Sequence, residues 1–188
     1  MTNALPFGLA IAAINFASLL LFLRFMIQLA EIDRRDAFAK VTYQLTQVVD
    51  MFARIFPTLA RGRISTAAVV LMLLLYLIKI TVGAMAMGKS MSPVELFFLG
   101  SVNGIVQFLQ MLRYTMIASA VCSLLVMFLN INHAVIGVIM QLSEPIVAPF
   151  RRFVPNLGMI DLSFLAALFS LMLLENFIKI IAANIWLG

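Results

Sequence analysis

Charge is what this chain of 188 residues has least of: charged side chains make up 11% of it, against roughly a quarter in an ordinary soluble domain. With 64% hydrophobic residues and a mean hydropathy of +1.10, a water-soluble globule is excluded. Cysteine is nearly absent as well. The single Cys122 excludes an intramolecular disulfide, a CxxC redox pair and a haem-attachment CxxCH, and is read as a small buried hydrophobe. The lone histidine, His133, has no HxxxH or cysteine partner, which argues against a conventional zinc site. No P-loop, GxSxG or dinucleotide fingerprint occurs. The expectation is a protein that is not an enzyme, with no catalytic residue, cofactor or metal site.

What the chain does have is long apolar runs. A spanning helix takes about 20 apolar residues, and four stretches qualify: 6–30, 64–87, 107–129 and 162–187. The first lacks the positive n-region of a secretory signal and is expected to be retained as a span. The apolar region over 94–129 is too long for one span, and Asn103, Gly104, Gln107, Gln110 and Arg113 interrupt it. Residues 94–106 are therefore expected to form an interfacial or partly re-entrant helix ahead of the third span, with a fifth span as the alternative.

The net charge of +5 sits beside the apolar runs, which makes it an orientation signal and gives no reason to expect nucleic acid as a partner. Arg34, Arg35, Lys40, Arg54, Arg61 and Arg63 lie in the first loop, and Arg151 and Arg152 in the third. Those loops hold eight basic residues, and the connection over 88–93 holds one, Lys89. By the positive-inside rule both charged loops are cytoplasmic and both termini lie outside.

The halves of the chain resemble one another. "YQLTQ" at Tyr43 parallels "MQLSE" at Met140, "RIFPTL" at Arg54 parallels "RFVPNL" at Arg152, and "LIKI" at Leu77 parallels "FIKI" at Phe177. The order in each half is span, amphipathic stretch, proline and span. The expected fold is an all-α membrane protein of four transmembrane helices in two parallel two-helix repeats. Each repeat would carry an interfacial amphipathic helix and a Pro-rich connector, with units over 1–92 and 93–188 forming one membrane domain. In the first unit Val41, Leu45, Val48, Val49, Phe52, Ile55 and Phe56 recur at helical spacing and predict a helix in the cytoplasmic interface. In the second, Pro145 should end, kink or restart the equivalent helix.

The stretch "EPIVAPFRRFVPNLGMIDLS" concentrates Pro145, Pro149, Arg151, Arg152, Pro155, Gly158, Asp161 and Ser163 in an otherwise oily chain. The prolines restrict the backbone, Gly158 permits a tight turn, and Asp161 or Ser163 can cap the last span. Arg151 and Arg152 fall at the level of inner-leaflet headgroups, each worth about 1 kcal/mol toward anionic lipid. These eight residues form a candidate lipid or partner interface.

The stretch resembles the signature of the YggT (YlmG) family, P-x-x(x)-P-x-R-R-x-x-P followed by G-x-I-D-[FL]-S. Arg24 and Gln28 are similar to the family's first-span arginine and the glutamine four residues after it. The first unit is a degenerate copy, with Val48 at the first proline position, Arg54 alone of the arginine pair, and "ARGRIS" for the aspartate turn. The resemblance implies a bacterial cytoplasmic (inner) membrane protein without an agreed molecular activity. Its relatives are connected with osmotic stress tolerance, ion uptake, cell division and nucleoid organisation, and in plastids with maturation of a membrane cytochrome.

Five polar side chains in or beside the spans are candidate intramembrane sites: Arg24, Gln28, Arg113, Glu175 and Lys179. Arg24 is placed to snorkel toward cytoplasmic headgroups, with an ion path or partner contact as the alternative. Glu175 and Lys179, spaced i, i+4, read as an outer anchoring pair. Arg113, with Gln107 and Gln110, reads as the wet start of the third span or as a pore lining. The functional expectation is a non-enzymatic scaffold or assembly factor that binds anionic inner-leaflet lipid and a membrane-protein partner or a second copy of itself. An oligomeric ion channel or ion-transport accessory is the alternative.

Overall fold

A computed structural model describes residues 4–56, 58–59, 63–131, 133–154 and 161–187. Pro155 and Gly158 of the proline-rich stretch lie outside the described residues. The elements in order are α1 (Ala4–Leu29), α2 (Ala37–Leu45), α3 (Val48–Phe52), α4 (Thr66–Ala86), α5 (Pro93–Leu129), α6 (Ala134–Val147), a 3₁₀ turn (Phe150–Arg152) and α7 (Leu162–Leu187). Four helices, α1, α4, α5 and α7, are long and apolar enough to cross a membrane. The chain is accordingly a multi-pass membrane protein.

The helix ends follow local sequence. Asp36 caps α2 by accepting from the amides of Phe38 and Ala39, and Ser65 caps α4 by accepting from Ala68. Ser92 and Glu95 form a reciprocal capping box at the start of α5, with Pro93 in its first turn. His133 starts α6, its Nδ1 accepting from the Val135 amide at 3.3 Å.

One sequence expectation is corrected here and another is narrowed. Residues 94–106 do not form a separate interfacial or re-entrant helix, because α5 runs unbroken for 37 residues. Its polar interruptions do not interrupt the helix, since each has an acceptor, donor or partner surface. Asn103 bonds back to the Leu99 carbonyl, Gln107 accepts from Lys79, Gln110 donates to Glu175, and Gly104 lies against Tyr76. Of the three outcomes expected at Pro145, ending the helix there is not what occurs, since α6 continues two residues further, to Val147. The missing proline amide instead leaves the Gln141 carbonyl without its helical donor.

At 1.5 Å per residue α5 is about 55 Å long, and even tilted by about 40° it rises about 42 Å, more than the roughly 30 Å hydrocarbon core. Part of it must therefore stand outside the apolar layer. It meets α4 through Gly100 and Gly104, a small-xxx-small pair that lets two backbones approach. A Cβ on Gly100 would lie 2.4 Å from Leu77 Cδ2, and one on Gly104 would lie 2.9 Å from Tyr76 Cδ2. Further along, Phe108 of α5 makes edge-to-face contacts with Phe22 and Phe25 of α1, with centroids 5.7 and 5.5 Å away. Phe22, Met26 and Ile27 of α1 and Ala67 and Ala68 of α4 complete the main core. A smaller core joins Met116, Val147 and Ala167 across α5, α6 and α7.

The short helices α2 and α3 bury a different face from the greasiest one. Ala39, Thr42, Thr46 and Val49 are buried, whereas Val41, Leu45, Val48, Met51 and Ile55 stay exposed. Small residues allow close approach of α2 to α1 and of α3 to α4, and the large apolar ones are left as an outward stripe.

Gly100→Leu and Gly104→Leu are each expected to destabilise by about 1–3 kcal/mol, the usual range for overpacking. Gly83→Leu, where a Cβ would meet nothing within 4 Å, is expected to change little. Thermal unfolding of the purified chain in detergent compares the three.

Candidate functional site

The polar side chains collect in three places, and the proline-rich stretch builds the first. α6 supplies Glu144, the 3₁₀ turn supplies Arg151, and the residue before α7 is Asp161. The Arg151 guanidinium reaches both acids, pairing with Glu144 through Nη1 and with Asp161 Oδ2 through Nη2 at 3.4 Å. Asp161 also caps α7, its Oδ1 accepting from the amides of Ser163 and Phe164 at 2.9 and 3.2 Å. Ser163 is fully buried and donates to the Val154 carbonyl at 3.2 Å. One arginine thus holds the end of α6, the turn and the start of α7 together.

Arg152 and Phe153, next in the chain, are both exposed, Phe153 at 85%. Pro149 precedes the 3₁₀ turn, and Pro145 lies inside α6. Beside the clamp a groove of about 760 Å³ runs between α5, α6 and α7. Its polar end holds Glu144, Arg151 and Asp161, and its apolar wall includes Leu124, Phe164 and Leu168. Ser119 and Ser143 share a hydrogen bond of 2.8 Å in its lining. Chemically the groove offers an apolar trough with a charged, self-paired mouth.

The second place is in the first half. Arg24 does not snorkel out: it is 3% exposed, and its guanidinium turns toward α2 and α3. Nη1 donates to the Thr46 carbonyl and hydroxyl at 2.9 and 3.2 Å, and Nη2 pairs with Asp50. The group also lies 4.5 Å from the centroid of the Tyr43 ring, a cation–π distance that Arg34 repeats at 4.8 Å. A nearly buried arginine needs an acid, and the interfacial segment provides it. Gln28, one turn on, is half-buried. Nearby, Arg63 closes the chain between α1 and α4 with a forked pair to Glu31 at 2.5 and 3.0 Å.

The third place is near the middle of α5 and α7, about 20 Å along α7 from the proline-rich stretch. Glu175 of α7, 4% exposed, accepts from Lys179 at 2.6 Å and from Gln110 of α5 at 2.8 Å. Its Oε2 faces Arg113 Nη1 at 3.1 Å as an ion pair outside hydrogen-bonding geometry. The fold therefore brings Arg113, Glu175 and Lys179 together across two helices and leaves Arg24 and Gln28 elsewhere. Glu175 and Lys179 are part of a helix-joining cluster and not an isolated anchoring pair.

Sequence reasoning missed Glu144 and Asp50. The signal for each was charge balance: Arg151 and Arg24 sit beside apolar segments, and the nearest polar faces carried one acid each.

Residues 99–182, which contain the Arg151 clamp, the groove and the Glu175 cluster, match CCB3/YggT. A protein of Haemophilus influenzae described as uncharacterized is 30% identical over 175 residues, covering 93% of this chain and 91% of its own length. The chain belongs to the CCB3/YggT family. Within this family member the matched region starts inside α5 and ends inside α7, so it takes in every contact of the clamp. No solved structure matches the chain.

Asp50→Asn is expected to strand the Arg24 charge. Breaking a buried pair usually costs about 3–5 kcal/mol, and a smaller loss of about 1–3 kcal/mol is expected here because Asp50 is 59% exposed. Arg63→Ala, which breaks an exposed pair, should stay within about 0.2–1 kcal/mol. Glu175→Gln leaves Arg113 and Lys179, 20% and 48% exposed, without their carboxylate and is expected to cost about 1–3 kcal/mol, below the full range for a stranded buried charge. Thermal and denaturant unfolding of the variants in one detergent tests the order.

Proposed function

We propose that this family member is a non-enzymatic scaffold or assembly factor of a bacterial cytoplasmic membrane. In this reading it is oriented with both termini outside, and its proline- and arginine-rich end holds anionic lipid or a membrane-protein partner. The carrying observation is the division of labour between two adjacent arginines. Arg151 is spent on Glu144 and Asp161, which fixes the turn, while Arg152 and Phe153 are presented outward by it. A cation beside an exposed aromatic ring suits the headgroup level, where the ring enters the apolar boundary and the charge meets phosphate. The outward stripe of α2 and α3 suits the same plane, as an amphipathic helix lying in the interface does. The parallel order of span, short helices and span in the two halves supports a tandem origin, with the second half keeping the complete motif.

The reading as an oligomeric ion channel or transport accessory, and with it the link to osmotic stress, has less to draw on. Glu175, on which an ion path would depend, is committed to Gln110, Arg113 and Lys179. Liposome flux that falls in Glu175→Gln would revive it.

The tagged chain is purified in mild detergent and its co-purifying lipids and proteins are identified by mass spectrometry. Arg152→Gln with Phe153→Ser should lose the partner or lipid while unfolding at the wild-type temperature. Arg151→Gln should lower stability as well as association. Equal retention of all associated molecules by the Arg152/Phe153 variant would defeat the scaffold reading at this surface.

A further inference from the structure

Away from the motif, α4 and α7 each direct a lysine into one cavity over α5. The cavity holds about 250 Å³ and is lined by Tyr76, Lys79, Asn103, Gln107, Gln110 and Lys179, among others. Lys79 lies about 21 Å along α4 from Ser65, and Lys179 about 27 Å along α7 from Asp161. Both are the lysines of the parallel "LIKI" and "FIKI" segments, and the fold turns them toward the same space.

The charges here do not balance. Among the described residues the cluster sets three cations, Lys79, Arg113 and Lys179, against one carboxylate, Glu175. Glu175 faces Lys179 and Arg113, while Lys79 donates to the neutral Gln107 at 2.9 Å. Arg113 lies outside the cavity lining, and Lys179, 48% exposed, is already paired with Glu175. Lys79, a lysine in a spanning helix with a neutral partner, is therefore the charge that calls for a counter-anion. Amide groups from Asn103, Gln107 and Gln110 line the same wall. Tyr76 adds a buried hydroxyl whose contact is the Met111 sulfur at 4.0 Å. One N–H of each lysine, of Asn103 and of Gln110 is already used, which leaves two further N–H donors on each ammonium and one on each of those amides. Such a set suits an anion with several acceptor oxygens better than a single-atom halide.

We infer that this cavity binds a phosphate group, with Lys79 and Lys179 as its cationic walls. The phosphate comes either from an anionic lipid headgroup drawn between α4 and α7 or from a free phosphate ion. The site is separate from the Arg152 surface and does not depend on the scaffold reading.

The test uses the full chain carrying Arg152→Gln, so that headgroup binding at the motif does not contribute. Delipidated protein is titrated by native mass spectrometry with phosphatidylglycerol and with phosphatidylcholine, and separately by calorimetry with inorganic phosphate. Saturable phosphatidylglycerol binding is expected, weakened at least about fivefold by Lys79→Gln, the scale of removing one lysine near a headgroup. Gln107→Glu keeps both lysines and gives Lys79 an internal carboxylate, so it should weaken binding equally while raising the melting temperature. That pairing of effects separates a lost site from a damaged fold. Binding of inorganic phosphate alone, with the same dependence on both variants, would identify a free anion as the occupant. No saturable binding of either ligand, or binding indifferent to both variants, would overturn the proposal.

Discussion

An ionised side chain in or beside an apolar layer gains most from a counter-charge on the protein, and in this chain that need joins several of the helices. Arg24 ties α1 to α3 through Asp50, Glu175 ties α7 to α5 through Arg113 and Gln110, and Arg151 ties α6 to the start of α7. Hydrophobic burial alone cannot make these choices, because lipid tails solvate leucine as well as another helix does. Directional polar contacts and close backbone approach give the four long helices their pairing, and the Gly100 and Gly104 contact with α4 supplies the second kind.

The long helices were legible in the sequence because length and hydropathy are what define a span. The four apolar runs become α1, α4, the later part of α5 and α7, with ends within a few residues of those expected except the start of α5, which lies 14 residues earlier, at Pro93. The misreading over 94–106 came from treating polar residues as breaks. "SPVE" at Ser92 already carried the signature of a helix start, and "GSVNG" at Gly100 that of a close helix contact, and both argue for continuity. At Pro145 the local rule was sound about the lost hydrogen bond. It did not set the end of the helix, because Leu142, Ser143 and Val147 are buried on both sides of the proline and packing holds the turn.

The candidate sites were less legible, since they depend on which polar residue meets which. Arg113, Glu175 and Lys179 were each visible as unusual residues in a greasy setting. That they share one cluster follows from the crossing of α5 and α7, which no spacing along the chain encodes. The two arginines of the motif looked equivalent in sequence. Only the placement of Glu144 before them and Asp161 after them separates a structural arginine from one presented outward.

The length of α5 has a mechanical side. A continuous helix is stiff along its axis, and this one is gripped near Gly100 and Gly104 by α4, while its other end carries Ser119 against Ser143 in the groove wall. From Gly104 to Leu129 the rod is about 37 Å long, so a tilt of about 5° at the glycine pivot sweeps its end through about 3 Å. Such a lever would turn a small change where α4 and α5 meet into a change of groove width at the opposite face. Phe108, Gln110, Arg113 and Met116 fasten the stretch between to α1, α6 and α7, so any such tilt has to carry those helices with it.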